Sequence, residues 1–206
     1  MKIHYKGKYK NDPDLFPEIH YHPGSTIFEH GNLKKKNISG VLTGILLMAI
    51  LFLISYIIHG NWIEHSIRVI INHLLNGDLK NYFISVIPII ILLVESFVLY
   101  FFVQLIFLKD NVYVYRFGAA NFFVLPTTAL SKSKYIASLT VPSIVITLPP
   151  YLIGMLFTGL RLFILSGMLA VTFGGLDLLT AVKAIKKIPK GAMVYYYGLD
   201  TYWYMP

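Results

Sequence analysis

Among the polar side chains within the apolar segments of this 206-residue sequence, Glu95, Gln104 and Asp177 are the first candidates for chemistry. Glu95 and Asp177 carry carboxyl groups, which can exchange a proton, bind a cation or pair with a basic group. Gln104 carries an amide, which both donates and accepts hydrogen bonds. An ionisable residue inside a membrane span is costly unless it meets protein or water, so each one is a functional candidate.

The elements that must position these residues are transmembrane helices. Hydrophobic residues make up 56% of the sequence and charged residues 14%, whereas a soluble domain usually carries about 25% charge. A helix needs about 20 mostly apolar residues to cross a membrane. Four segments meet this requirement: 40–58, 82–108, 136–157 and 160–179. We therefore predict an all-α integral membrane protein with four transmembrane helices.

The distribution of lysine and arginine predicts the orientation of these spans. These residues are concentrated before the first span, between the second and third, and after the fourth. The positive-inside rule then places both termini in the cytoplasm, in a multi-pass protein of the inner (cytoplasmic) membrane. Because this asymmetry accounts for the net charge of +8, we predict no nucleic-acid partner.

The sequence divides into a short arm and a membrane domain. Residues 1–37 are predicted to form a polar cytoplasmic N-terminal arm, and residues 38–206 a membrane domain that ends in a cytoplasmic tail, 180–206. Apolar residues at helical spacing over 61–76 predict an amphipathic helix on the outer membrane surface.

A small cytoplasmic β-hairpin is predicted between the second and third spans. Residues 112–115 alternate between apolar and aromatic types, residues 121–125 form a second short apolar run, and 118–120 could turn between them. The tail carries aromatic clusters at 194–197 and 202–204. Such clusters suit the membrane interface or an edge strand that pairs with the hairpin.

The topology predicts which polar groups can meet. The second and fourth spans run in the same direction, so Gln104 and Asp177 lie at similar depth near the cytoplasmic face, where Gln104 could donate a hydrogen bond to Asp177. Glu95 precedes Gln104 by nine residues, which places it about 13 Å deeper and on the opposite helix face. We expect Glu95 to be a protonated, hydrogen-bonded carboxyl group inside the helix bundle.

Small residues on the fourth span predict close helix packing. Gly167, Ala170 and Gly174 share one helix face with Asp177, and small side chains let a neighbouring transmembrane helix approach closely. We expect the second span to be that neighbour, with Asp177 pointing into the contact.

Four short motifs follow one another in the second half of the chain. They are Leu-Ile-Phe-Leu-Lys-Asp at 105–110, Tyr-Arg-Phe-Gly at 115–118, Leu-Ser-Lys-Ser-Lys-Tyr-Ile at 130–136 and Gly-Gly-Leu-Asp-Leu-Leu at 174–179. With the order of spans, they resemble a bacterial family of zincin-type membrane metallopeptidases related to the site-2 proteases. The resemblance covers residues 80–206. It implies His-Glu-x-x-His at the end of the second span and an aspartate ligand late in the last span.

The zinc-binding motif of that family is missing from this sequence. The resemblance aligns Tyr100 with the first ligand, Phe101 with the general base and Gln104 with the second ligand, and only Asp177 matches. Catalytic zinc sites use three protein ligands and a base beside the bound water. The absence of cysteine also excludes thiolate ligands. We therefore predict no catalytic residue, no metal and no cofactor.

Three functions remain open from the sequence. The first is a pseudoprotease, a catalytically inactive metalloprotease-like protein that binds a membrane partner or peptide as a subunit of a complex. The second is a small accessory or immunity-type subunit of a transporter. The third is an active membrane enzyme or channel that uses Glu95 and Asp177. We predict membrane lipid and either other membrane subunits or a transmembrane peptide as partners.

Overall fold

Four long helices dominate the computed structural model, which describes residues 3–8, 21–31, 33–108, 112–117, 121–197 and 200–206. The helices are α1 (Leu33–Leu75), α2 (Leu79–Leu108), α3 (Lys132–Leu156) and α4 (Leu162–Lys187). Each contains a stretch that is long and apolar enough to cross a membrane. This confirms the predicted number of spans.

The first helix continues well beyond the predicted first span. The backbone of His59 leaves the helical region (φ −129°, ψ 30°), and the chain then resumes a helix that ends at Leu75. The kink divides α1 into two helices, and the second of them, over 60–75, confirms the helix that we predicted over 61–76. Its place on the outer membrane surface stays a prediction.

A glycine and an aspartate separate α1 from α2. Gly77 has a positive φ of 69°, which a residue without Cβ adopts at little cost. The N–H of Asp78 donates to the carbonyl of His73 at 3.0 Å and so closes the end of α1. Asp78 then caps α2 by accepting hydrogen bonds from the backbone and side chain of Asn81. The side-chain bond is the main reason why the pKa of Asp78 is lowered.

Two small sheets accompany the helices, so the description as all-α is too narrow. The first has the order β1 (Ile3–Lys8), β3 (Val112–Phe117) and β4 (Asn121–Pro126). The antiparallel pairing of β3 with β4 confirms the predicted hairpin, and its turn at 118–120 lies outside the described residues. The sequence analysis missed β1, which pairs with β3 in parallel.

The aromatic tail forms strands of a second sheet instead of joining the hairpin sheet. Its antiparallel order is β2 (Thr26–Glu29), β7 (Asp200–Tyr204), β6 (Met193–Tyr197) and β5 (Leu130–Ser131). The expectation of pairing with the hairpin was wrong because β2, from the distant N-terminal arm, supplies the partner of β7.

The second sheet also constrains the membrane topology. Strand β2 precedes α1, β5 lies between α2 and α3, and β6 and β7 follow α4. Strands that exchange hydrogen bonds lie on the same side of a membrane, since hydrocarbon cannot accommodate an open sheet. The chain therefore crosses an even number of times between β2 and β5 and again between β5 and β6. Four crossings satisfy this condition.

The chain divides into two compact units. The sheet unit comprises Met1–Ser39, Phe102–Val141 and Asp177–Pro206, and the helix unit comprises Gly40–Phe101 and Pro142–Leu176. The buried core of the sheet unit is formed by Tyr113, Leu125 and Tyr195. A buried cluster of the helix unit is formed by Tyr151, Ile164 and Met168.

Glycines bring α1 and α4 into backbone contact within the helix unit. A Cβ atom added at Gly175 would lie 2.5 Å from both the carbonyl oxygen of Gly40 and the amide nitrogen of Gly44. A Cβ at Gly44 would lie 2.8 Å from the carbonyl oxygen of Thr172. Because the obstructing atoms are backbone atoms, the two helices must separate to admit any side chain.

Candidate functional site

The positions that the resemblance aligns with a zinc motif lie on the last turns of α2. Tyr100 is buried, while Phe101 and Gln104 are partly buried. A phenol, a phenyl ring and an amide offer hydrogen bonding and packing but no imidazole ligand and no general base. In the described ranges, no group of three His, Asp or Glu side chains is arranged to hold a metal ion.

Asp177, on α4, lies close enough to Tyr196 of β6 for its charge to act on the phenol. Burial raises the pKa of Tyr196, the hydrogen bond with Tyr135 lowers it, and the carboxylates of Asp177 and Glu29 raise it further, so that the pKa ends well above its ordinary value. Tyr196 is therefore a neutral hydrogen-bonding group at physiological pH. These four residues form what we name the tyrosine–carboxylate cluster of the sheet unit. The hydrogen bond from Gln104 to Asp177 stays a prediction.

Glu29 of this cluster also holds two lysines. Its carboxylate oxygens lie 2.9 Å from Nζ of Lys183 and 3.4 Å from Nζ of Lys36, and the Glu29 side chain is only 14% exposed. The sequence analysis missed this arrangement. Lys183 is 154 residues away in sequence, and no local pattern distinguishes Glu29 from an ordinary polar residue of the arm.

Glu95 is exposed on the surface of α2, so the expectation that it lies inside the helix bundle was wrong. The next residue, Ser96, is 1% exposed, and Phe97 makes an edge-to-face contact with Phe173 of α4 at 5.5 Å. The face of α2 that packs against the protein therefore includes Ser96 and Phe97, whereas Glu95 lies outside it. Among the ion pairs of the described residues, none includes Glu95.

Apolar side chains flank Glu95 along the same side of α2. Ile84, Ile91 and Val98 recur at intervals of seven residues and are between 42% and 58% exposed. At 100° per residue these side chains lie within about 60° of the direction of Glu95. We call this set, with Glu95 at its centre, the Glu95 face.

The small residues of α4 contact α3, not α2 as we expected. A Cβ at Gly167 would lie 2.7 Å from the carbonyl oxygen of Thr147, and one at Gly174 would clash with Oγ of Ser143. Ala170, between them, is 1% exposed. The reason is the short connection between the two helices, which folds α4 directly back along α3 and makes them partners.

Comparison with protein-family models, characterised proteins and solved structures finds no match to this chain. The resemblance to zincin-type membrane metallopeptidases therefore stays a prediction that rests on the motifs quoted above.

A second polar region of the helix unit escaped the sequence analysis. It surrounds Arg161, in the short connection between α3 and α4, and Trp62, just after the bend of α1. The available signal was a lone cation at the start of the fourth predicted span. The bend at His59, which brings the two regions together, has no local signature in the sequence.

Proposed function

We propose that this protein is a non-catalytic subunit of a membrane complex and that it binds a transmembrane helix of another chain along the Glu95 face. The observation that carries this proposal is a carboxyl group exposed near the middle of an apolar helix. The apolar residues of the face are equally compatible with lipid and with protein. Glu95 is the residue that distinguishes the two environments.

The energetic argument concerns the contact of this carboxyl group with hydrocarbon. A charged side chain at the centre of a membrane helix costs about 3 kcal/mol on insertion scales. A partner that offers a cation or a hydrogen-bond donor removes most of that cost and gains a charge-assisted hydrogen bond. A single polar position in an apolar seam also fixes the register of two helices, as a lone polar residue does in a coiled coil.

The chemistry of the partner follows from that of Glu95. A lysine, arginine or histidine, or a side-chain amide, near the membrane centre of the partner helix would complement the carboxyl group. A second copy of this chain fits poorly, because a symmetric contact would oppose two carboxyl groups. The lysines of α3 and α4 lie at the helix ends, at positions 132, 134, 183, 186 and 187. In a second copy, these lysines would therefore not complement Glu95 near the membrane centre.

We also propose that this chain is related to the zincin-type membrane metallopeptidases. In this view the chain keeps the family scaffold as a pseudoprotease, and Tyr100, Phe101 and Gln104 replace the residues that hydrolysis requires. The lysine distribution supports a cytoplasmic location for the sheet unit. A transporter accessory or immunity-type role would use the same face with another partner. An enzyme or channel that combines Glu95 with Asp177 has less support, because no observation brings the two carboxyl groups together.

Site-specific photo-crosslinking in native membranes tests this proposal. A photoreactive residue at Ile91, on the Glu95 face, should give a protein adduct, because a partner helix covers that position. The matched control is the same probe at Leu53 of α1, which is equally exposed at 58% and should give lipid adducts only. Lipid adducts alone at both positions would exclude a stable partner on this face.

Charge reversal then tests the role of Glu95 itself. We expect Glu95→Lys to reduce the Ile91 adduct by about tenfold or more, since a charge-assisted contact contributes roughly 1.5–3 kcal/mol. Replacing the complementary group of the identified partner with glutamate should restore the adduct. An adduct that is indifferent to Glu95→Lys would show that the helix docks without this carboxyl group.

A further inference from the structure

The helix unit contains a polar cavity at the end where α3 connects to α4. Its volume is about 440 Å³, which is within the range of small-molecule sites. The polar and aromatic residues that line it are Tyr56, His59, Asn61, Trp62, Glu64 and Arg161. None of these residues belongs to the Glu95 face or to the tyrosine–carboxylate cluster.

The bend in α1 builds one wall of this cavity. Nε2 of His59 lies 3.1 Å from the carbonyl oxygen of Met155, one of the last carbonyls of α3, which lack partners within their own helix. Because a carbonyl only accepts, Nε2 is the donor. The departure of His59 from helical geometry thus fastens the bend to the end of α3.

The connection after α3 brings Arg161 over Trp62. A single 3-10 turn, Thr158–Leu160, links the helices, and the guanidinium carbon of Arg161 lies 5.9 Å from the centroid of the Trp62 ring. A cation over an indole face is held electrostatically by the ring. Trp62 therefore restricts the orientation of the guanidinium group without neutralising its charge.

Arg161 lacks an anionic partner within the described residues. Its Nε atom is buried and makes no hydrogen bond there, and the ion pairs of those residues do not include it. A buried donor without an acceptor in the protein is rare in native proteins and calls for an acceptor from outside the chain. A guanidinium group that lines a cavity and whose buried Nε lacks a protein acceptor is suited to an anion.

The acidic residue of the cavity is already engaged. Glu64 accepts a hydrogen bond from the phenol of Tyr56 at 2.7 Å and lies 3.4 Å from a guanidinium nitrogen of Arg68. Its side chain is 46% exposed, so water and Arg68 reduce its effect on an anion beside Arg161. Glu64 is therefore not the counterion that Arg161 lacks.

We propose that this cavity binds a phosphate group, with Arg161 as the anchoring residue and Trp62 as the wall that orients it. The planar guanidinium presents paired donors that match two phosphate oxygens. Tryptophan and arginine at a helix end are also typical of the depth at which lipid phosphates lie. A phospholipid head group and a soluble phosphate share this chemistry. The site is independent of the proposed partner helix on α2.

Ligand binding to the delipidated full-length chain in detergent tests this site. Phosphatidylglycerol should raise the midpoint of thermal unfolding and remain bound in native mass spectra, whereas diacylglycerol, which lacks the phosphate, should do neither. Inorganic phosphate is tested in parallel. Binding of the phospholipid alone indicates a lipid head group, binding of both indicates a phosphate site open to soluble ligands, and binding of neither overturns the proposal.

Two variants locate the interaction. Arg161→Gln should weaken phospholipid binding about fivefold or more, since the charge-assisted hydrogen bonds are lost. The control is Lys80→Gln, at an exposed lysine of α2 that does not line the cavity, and it should change binding by less than about twofold. Equal losses in both variants would contradict a specific role for Arg161. If Arg161→Gln does not fold, Arg161→Lys is used instead. Lysine keeps the positive charge but lacks the paired donors of the guanidinium, so this variant should still bind the phospholipid more weakly than the native chain.

Discussion

Glu29, Glu95 and Asp177 show that the surroundings of a carboxyl group decide its role. Glu29 is enclosed between two lysines, Asp177 lies beside a neutral phenol, and Glu95 is exposed on an apolar helix. The sequence predicted the presence of Glu95 within a span because helix rise is fixed and hydropathy is local. It did not predict the exposed face, because that depends on which neighbouring helices pack against α2.

At this scale the structure predicts a large effect of neutralising Glu29. Glu29→Gln should lower the free energy of unfolding by about 1–3 kcal/mol, because two partly buried lysines lose their counterion. The matched control is Glu64→Gln, at an exposed i,i+4 pair, which should cost about 0.5 kcal/mol or less. Thermal unfolding of purified protein in detergent measures both. Similar small losses would show that the Glu29 cluster contributes no more than a surface pair.

Helix α4 contacts two other helices of the helix unit. It packs on α1 through Gly175 and on α3 through Gly167 and Gly174. The positions of the apolar stretches could be predicted because a membrane requires a minimum length of apolar helix. The small-residue stripe was also visible in the sequence, but its partner was not. Small residues specify only that some helix comes close, and the short α3–α4 connection determines which one.

The helix contacts predict opposite effects of two glycine-to-alanine changes on the stability of the protein. Gly175→Ala should destabilise the protein by about 1–3 kcal/mol, because the new methyl group meets the backbone of α1. Gly60→Ala should be neutral or stabilising by up to about 1 kcal/mol, because alanine favours a helix and the nearest atom would be at 3.7 Å. Unfolding in detergent compares the two variants. A stable Gly175→Ala protein would contradict the close contact of α1 and α4.

For the whole molecule, local patterns predicted the spans and the hairpin, whereas the pairing of distant segments was not predictable. β3 and β4 are adjacent in sequence and alternate in residue type, so their pairing could be predicted. β1 and β2 join strands more than one hundred residues away, and nothing near Ile3 or Thr26 identifies those partners. The same reason explains why the tyrosine–carboxylate cluster was missed.

The topology predicts on which side of the membrane individual residues lie. Single-cysteine labelling can test this, because the native sequence contains no cysteine. Single cysteines at Thr128 and Lys187 should react with an impermeant maleimide from the same side of sealed vesicles, because both positions are exposed and the chain after each leads into one of two paired strands, β5 and β6. A cysteine at Thr158, in the α3–α4 connection, should react from the other side. Solubilised membranes, in which all three should react, provide the control. Labelling of 128 and 187 from opposite sides would contradict the second sheet.

The pairing of β2 with β7 also sets an order for biogenesis. The ribosome makes β2 before the first membrane helix, but Trp203 and Tyr202, which pair with Thr26 and Ile27, emerge only after the fourth. Throughout insertion β2 has an open edge of the kind that chaperones and proteases recognise. A chain that skips one helix would leave β7 on the wrong side and β2 unpaired. Sheet closure would thus mark the chains in which every helix has been inserted.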